Sequence, residues 1–372
     1  MMMKSALSGP FLLLLLLLLL LSSTVSGLGS VVSKYYNYIQ THLTWQQAQS
    51  YCRDSTYYID LAIIYRQSDE DLMYMKTYSA WTGLHKEPSN RWIWSNEEIF
   101  SWNHWAQNEP NNGGRCAIVY SSNQRFYDRN CGDFLFFFCH KKYGPSSLRY
   151  TFIPQSKSWL EAQQYCREVF HDLATFRTDS DLNLGVVEQD FPVWTGLHRD
   201  GGTWRWSTGL SEYRNWASSE PGNNGDCVSI SSSDKEMATQ NCTARFPFVC
   251  FRDNLVLVKE NKTWREALEH CRALSSPYSS NLRYELLSVQ PGEDHEYVLN
   301  RVMEADTEEV WAGLRFLAGH WLWVNGASML YSDLPLCPLF TQHCGVLSKN
   351  NTGSVEITDC SEKRNFLCYS TY

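Results

Sequence analysis

Twelve of the thirteen cysteines fall into three sets of four with nearly the same spacing: Cys52, Cys116, Cys131, Cys139; Cys166, Cys227, Cys242, Cys250; and Cys271, Cys344, Cys360, Cys368. The last three members are 15 and 8 residues apart in the first two sets and 16 and 8 in the third, whereas the gap before them runs from 61 to 73. The chain is therefore one module written three times, with loops in the variable stretch. Four cysteines allow three pairings, and spacing does not choose among them. A first-to-fourth bond would tie the start of a module to its end, and a second-to-third bond would clip a short hairpin; closing loops of these lengths is worth roughly 3 to 5 kcal/mol. Zinc is disfavoured because no two cysteines are separated by just two residues.

The N-terminus fits oxidised cysteines. Lys4, the 11 apolar residues Phe11 to Leu21 and the small residues Val25-Ser26-Gly27 read as a secretory signal over residues 1–27. That run is shorter than the roughly 20 residues a bilayer span needs, and no later segment reaches that length. The expected product is a soluble, secreted, extracellular protein with no membrane span. A formal net charge of −8 disfavours broad nucleic-acid binding.

The repeats align well beyond their cysteines. Each opens with a capping box, Thr44 with Gln47, Ser158 with Glu161 and Thr263 with Glu266, predicting a helix that ends near Cys52, Cys166 or Cys271. A second acidic helix is expected at Asp69-Glu70-Asp71-Leu72, Asp179-Ser180-Asp181-Leu182 and Glu293-Asp294-His295-Glu296. Then come Trp81-Thr82-Gly83-Leu84, Trp194-Thr195-Gly196-Leu197 and Trp311-Ala312-Gly313-Leu314, followed by the alternating pairs Trp92/Trp94, Trp204/Trp206 and Trp321/Trp323. Alternation at period two marks strands, and aromatics this large belong to a core. Phe137, Phe248 and Phe366, each two residues before the last cysteine, mark buried final strands.

This order of cysteines, the Trp-x-Gly-Leu and Trp-x-Trp strands, and the Glu-Pro turn before the second cysteine of the first two modules resemble the C-type lectin-like domain. The resemblance covers essentially the whole mature chain, as residues 32–141, 148–252 and 255–370, and the array is similar to that of the mannose-receptor type without its membrane anchor. It implies an α+β fold with two helices, two small antiparallel sheets and a long loop region per domain. It also implies first-to-fourth and second-to-third disulfides: Cys52–Cys139, Cys116–Cys131, Cys166–Cys250, Cys227–Cys242, Cys271–Cys368 and Cys344–Cys360. The linkers, Lys141 to Arg149 and Phe251 to Leu255, are short, and fragments cut within either are expected to stay folded.

In sugar-binding members of that family, Glu and Asn of Glu-Pro-Asn, an acidic residue before the second cysteine, and Asn-Asp before the third hold one calcium ion that grips two sugar hydroxyls. Calcium takes about 6–8 oxygen ligands, so hydroxyls can complete an unfinished shell. The first domain matches at Glu109, Asn111 and Asp128, the implied calcium and sugar ligands, but has Tyr127 and Gly114-Arg115 where further ligands belong. On this reading Tyr127→Asn with Gly114→Glu restores the set. The second domain has Glu220-Pro221-Gly222, Ala238-Thr239 and a solitary Asp226, and the third has Asp333-Leu334-Pro335 and Glu356-Ile357; neither carries the set.

Catalytic motifs fail. His295-Glu296-Tyr297-Val298-Leu299 lacks the second histidine of a zinc site, and Asp179-x-Asp181-x-Asn183 has Leu184 where a calcium loop needs glycine. Recognition rather than catalysis is expected. The partners are glycans or glycoproteins bound through domain 1, with calcium as the cofactor, or alternatively a protein ligand bound without it. Asn241, Asn261 and Asn350 begin glycosylation sequons, with Asn261 the best placed, ahead of a helix cap. Cys337 is the odd cysteine, and its position between prolines favours a buried or free thiol over an intermolecular bond.

Overall fold

The computed structural model describes residues 31–143, 147–275, 282–350 and 355–371. The expected signal segment, residues 1–27, lies outside them. Among the described residues no helix is long and apolar enough to cross a membrane.

The three opening helices form where their caps predict: α1 (Trp45–Asp54), α3 (Trp159–Val169) and α5 (Trp264–Ala273), each with both arms of its capping box made. Trp, Ala and Cys at i, i+3 and i+7 give each a narrow buried face. The second helices are α2 (Gln67–Glu70), a single turn, then α4 (Asp179–Gly185) and α6 (Glu293–Met303).

The strands of the first two repeats are β1 (Lys34–Leu43), β2 (Asp60–Leu61), β3 (Ser79–Lys86), β4 (Trp92–Trp94), β5 (Cys116–Tyr120), β6 (Phe126–Arg129), β7 (Leu135–Tyr143), β8 (Ser147–Lys157), β9 (Asp172–Leu173), β10 (Pro192–Asp200), β11 (Thr203–Trp206), β12 (Cys227–Ser231), β13 (Met237–Gln240) and β14 (Phe246–Asp253). The third adds β15 (Leu255–Lys262), β16 (Arg283–Leu286), β17 (Glu309–Leu317), β18 (His320–Trp323), β19 (Cys344–Ser348), β20 (Glu356–Thr358) and β21 (Arg364–Thr371). Trp94, Trp206 and Trp323 are buried as expected of core aromatics, whereas Trp92, Trp204 and Trp321, two residues earlier on the same strand face, are only half-buried, which corrects the expectation that both members of each pair are core; Phe137, Phe248 and Phe366 are fully buried.

The antiparallel pairings of the third repeat are joined by a short parallel contact of β17 and β21 into one sheet, β15-β21-β17-β19-β20, with β16 on β21 and β18 on β17. All of its strands come from that repeat. Lys34–Asp253, in contrast, form a single compact unit in which the first two repeats have exchanged their opening segments. One lobe has the sheet β6-β5-β3-β7-β8, with β9 on β7, so that strands of the second repeat complete the first. The other has β1-β14-β10-β12-β13, with β2 on β14, and there the first repeat completes the second. In the helices the exchange is reciprocal. The Trp159 indole N–H donates to the Thr82 carbonyl and that of Trp45 to the Thr195 carbonyl, both at 2.8 Å, whereas Trp264 finds Ala312 of its own repeat.

Two implied disulfides are therefore corrected. Cys52 bonds Cys250 and Cys139 bonds Cys166, in place of Cys52–Cys139 and Cys166–Cys250. Cys116–Cys131, Cys227–Cys242, Cys271–Cys368 and Cys344–Cys360 are paired as the resemblance implies. The physical reason lies in the first linker. Lys141 to Arg149 is no free connector, because its flanks extend β7 and β8, which pair antiparallel from Leu135↔Lys157 to Tyr143↔Ser147. A three-residue connection suits a hairpin, and sequential strands joined so tightly pair with each other. Once β8 occupies the edge of β7, β1 must find the equivalent edge on β14. At the second linker only Asn254 separates β14 from β15, and β15 pairs with β21.

The lobes share an aromatic core. Tyr78 packs on Phe152 and Phe191 with ring centroids 4.7 and 5.8 Å apart, and Phe136 lies 5.6 Å from Phe191. His42 stacks edge-on to Phe136 at 4.3 Å and its Nδ1 lies 2.5 Å from the Ser156 hydroxyl; burial pushes its pKa down to about 3.

Candidate functional site: the long loop of the first repeat

The loop between β4 and β5 is held at its base by Lys86 N–H donating to the Arg115 carbonyl at 2.7 Å and by the Cys116–Cys131 bond. Strand β6, paired to β5 at Ala117↔Asp128, buries Asp128 beneath it. The three residues expected to act together do meet here. Asp128 Oδ1 accepts from Asn111 N–H at 2.8 Å and Oδ2 from Gly114 N–H at 3.0 Å. Glu109 Oε1 accepts from the Asn111 amide at 2.9 Å and Oε2 from Asp128 N–H at 3.2 Å, while Asn111 Oδ1 accepts from Gly113 N–H at 2.8 Å.

The two carboxyls are electrostatically linked. Burial and the hydrogen bond with Asp128 raise the Glu109 pKa above the usual carboxylate range. Burial acts on Asp128 in the same direction, but its hydrogen bond with Glu109 and the N–H groups of Asn111 and Gly114 outweigh it and hold Asp128 below its usual value. Of the two, Glu109 is therefore the more basic carboxyl.

As a calcium site this set is short. Every side-chain oxygen of Glu109, Asn111 and Asp128 already takes an N–H bond, and together they provide five oxygens where calcium takes about 6–8. Among the described residues no cluster of three or more His, Cys, Asp or Glu is placed to hold a metal. The positions expected to lack ligands are otherwise engaged. Tyr127 OH accepts from the Asn123 amide at 2.7 Å, and Arg115 Nη2 donates to the carbonyls of Lys86 and Glu87. A Cβ on Gly114 would lie 1.7 Å from the Arg129 carbonyl oxygen, so the expected rescue by Gly114→Glu is corrected: this position needs glycine for close backbone approach.

The second repeat builds the same corner without a second carboxylate. Glu220 Oε2 accepts from Thr239 N–H and hydroxyl at 3.0 and 2.7 Å and from Gly222 N–H at 2.5 Å, and Asp226 is committed to Arg199. In the third repeat the corresponding loop exposes Leu330, Leu336, Leu339 and Phe340, with the Trp321 indole donating to the Pro335 carbonyl at 2.9 Å. The near-miss catalytic motifs lie on helices, as the repeat alignment expects: Asp179 to Leu184 on α4 and His295 to Leu299 on α6. Asn241, Asn261 and Asn350 are all exposed; Asn241 Oδ1 accepts from Thr243, and Asn261 Oδ1 from Asn365. Cys337 is free but exposed, which corrects the expectation of burial.

What sequence reasoning missed is that this loop stands on a scaffold completed by β8, α3 and β9 of the next repeat. The linker read as Lys141 to Arg149 gave no sign of this, because its shortness appears only once β7 and β8 are seen to extend into it.

Three stretches, residues 41–141, 155–252 and 260–370, match the family model described as the lectin C-type domain. Lithostathine-1 of Mus musculus is 32% identical over 119 residues, 28% of this chain and 72% of that protein. The secretory phospholipase A2 receptor of Oryctolagus cuniculus is 24% identical over 272 residues, and C-type mannose receptor 2 of Rattus norvegicus 22% over 229. These matches take in 60 and 50% of this chain but only 18 and 15% of the receptors' own lengths. Among solved structures, the C-type lectin CEL-I from Cucumaria echinata aligns at 20% identity over 33% of this chain and 90% of its own, with a TM-score of 0.28.

Proposed function

This chain belongs to the family of C-type lectin domains, and on that premise we propose that it is an extracellular, non-enzymatic recognition protein that binds a protein ligand without calcium. The observation that carries this reading is the closed hydrogen-bond network of Glu109, Asn111 and Asp128, which leaves no unengaged side-chain oxygen to gather an ion. The loops of the other two repeats support it, one having Thr239 at the place of the second carboxylate and the other having Asp333-Leu334-Pro335 in place of the Glu-Pro-Asn motif. A relative named as a receptor for a secretory phospholipase A2 agrees with a protein ligand. The six disulfides support an oxidising, extracytoplasmic compartment.

A second reading keeps sugar. Glu109, Asn111 and Asp128 do converge on one loop, and a relative is named for mannose. On that reading the first repeat binds a glycan with weak calcium, in the range of about 10⁻⁴–10⁻³ M.

Chelation separates the two. The full chain is passed over immobilised mannose- and galactose-terminated glycans in millimolar calcium and then in EDTA, and its melting temperature is measured in both buffers. Protein recognition without calcium expects neither chelator-sensitive retention nor a calcium-dependent shift in melting; glycan retention released by EDTA overturns it in favour of the second reading.

A further inference from the structure

Strands β1 and β8 bulge out of their pairing at matching places, between Ile39 and Leu43 and between Ile153 and Lys157. Bulges re-aim side chains beside functional surfaces. Here the matching bulge residues His42 and Ser156 meet where the two lobes adjoin, and each bulge lines a cavity. The one of about 510 Å³ takes in Gln40 and Thr41, the one of about 490 Å³ Pro154 and Gln155. They occupy equivalent places in the two lobes, since the cysteine register sets Arg129 of the first against Gln240 of the second. Their charges are opposite. Asp190, Asp234 and Glu236 line the second, with no Lys or Arg among the described residues, whereas the first has Arg129 and Arg245 against a solitary acid, Asp133. His42 adds no charge there, because burial keeps it neutral.

The two arginines are half-buried and only lightly held. Arg129 Nη1 donates to the Asp128 carbonyl at 3.0 Å; Arg245 Nη1 donates to Gln47 Oε1 at 3.2 Å, and its guanidinium lies 4.4 Å over the Phe134 ring. Unlike Arg91, Arg167, Arg177 and Arg199, neither forms an ion pair among the described residues. A guanidinium has five N–H donors, so donors remain on both, and their planar fork matches a carboxylate.

We propose that this cavity receives the carboxylate of a single acidic side chain from a protein ligand, held between Arg129 and Arg245. The proposal rests on the protein-ligand reading and adds a site outside the long loop, together with the chemistry it recognises. Confinement of the positive charge selects one carboxylate over a polyanion. Two arginines face Asp133, the equivalent cavity of the other lobe presents three acids, and the chain carries a net charge of −8. A sulfated polysaccharide would find no cationic track to follow. At about 510 Å³ the cavity is within the size range of small-ligand sites, enough for a side chain and its flanking peptide. The first repeat supplies Arg129 and the second Arg245, so the site depends on the pairing of these two repeats.

Side-chain NMR of the full chain labelled with nitrogen-15 at arginine decides this, with capped Ala-Glu-Ala and Ala-Gln-Ala tripeptides as probes. The Nε–H signals of Arg129 and Arg245, assigned from Arg129→Gln and Arg245→Gln, should shift together and saturably with the Glu peptide only. Either substitution should weaken that binding by about tenfold or more. Thr41→Glu, at an exposed position of the same cavity, supplies a competing carboxylate and should abolish binding with the melting temperature unchanged, which keeps the test decisive if an arginine variant fails to fold. Equal binding of the Gln peptide, the lack of a saturable shift, or a shift confined to one arginine overturns the proposal. So does a heparin-derived hexasaccharide that binds the same arginines more tightly than the Glu peptide. Such a failure leaves the protein-ligand reading to the chelation test, which does not involve these residues.

Discussion

The indole N–H of Trp45 donates to the carbonyl of Thr195, 2.8 Å away and 150 positions further along the chain. Its counterpart from Trp159 to Thr82 runs the opposite way. These two bonds place each opening helix on the other repeat's Trp-x-Gly-Leu strand, so the first two repeats are one structure that a boundary at residue 141 or 148 would divide.

Peptide mapping of the non-reduced chain should return Cys52–Cys250 and Cys139–Cys166. If a protease site is placed between Tyr143 and Ser147 and cut, the two fragments should co-migrate under denaturing, non-reducing conditions and separate only with reductant. Release without reductant would mean that each repeat closes on itself.

Lengthening that connection tests its causal role. Inserting a flexible Gly/Ser segment of about 15 residues between β7 and β8 adds only modest loop entropy but removes the hairpin constraint. Some Cys52–Cys139 and Cys166–Cys250 should then be recovered. If the exchanged pairs persist unchanged, the shared core around Tyr78, Phe136 and Phe191 is what dictates the exchange.

His42 makes stability acid-sensitive. Its pKa in the folded chain is lowered to about 3 by burial, while an unfolded histidine titrates near 6.5. The unfolded state therefore binds more protons between these values, so this contribution is full above about pH 6.5 and is lost as pH falls toward 3, at up to about 1.4 kcal/mol per pH unit. The slope of unfolding free energy against pH over that window should be shallower in His42→Gln than in the native sequence.

Asp128→Ala should destabilise the first repeat's loop by about 1–3 kcal/mol, since it strips acceptors from the N–H groups of Asn111 and Gly114 beneath a buried position. Denaturant unfolding reads the loss. It should be the same in calcium and in EDTA, whereas an effect confined to calcium would assign Asp128 to an ion.

Much of the candidate site could be read from the chain, because Glu109, Asn111 and Asp128 lie on a turn and a strand whose register follows from the short spacing of Cys116 and Cys131. Its hydrogen-bond closure could not, because whether a carboxylate oxygen faces solvent or a backbone N–H depends on how closely Gly114 approaches Arg129.

By itself the amino-acid sequence determined the number of repeats, the capped helices and the alternating tryptophan strands, all local signals within reach of a few residues, while the hairpin disulfides were only implied by the family resemblance. Only the tertiary structure decided which copy completes which. The first two repeats offer Cys52 and Trp45 chemically equivalent partners, Cys139 or Cys250 and Thr82 or Thr195. That tie is broken by geometry, the tight β7–β8 hairpin and the aromatic core it brings together, and not by any residue's own preference.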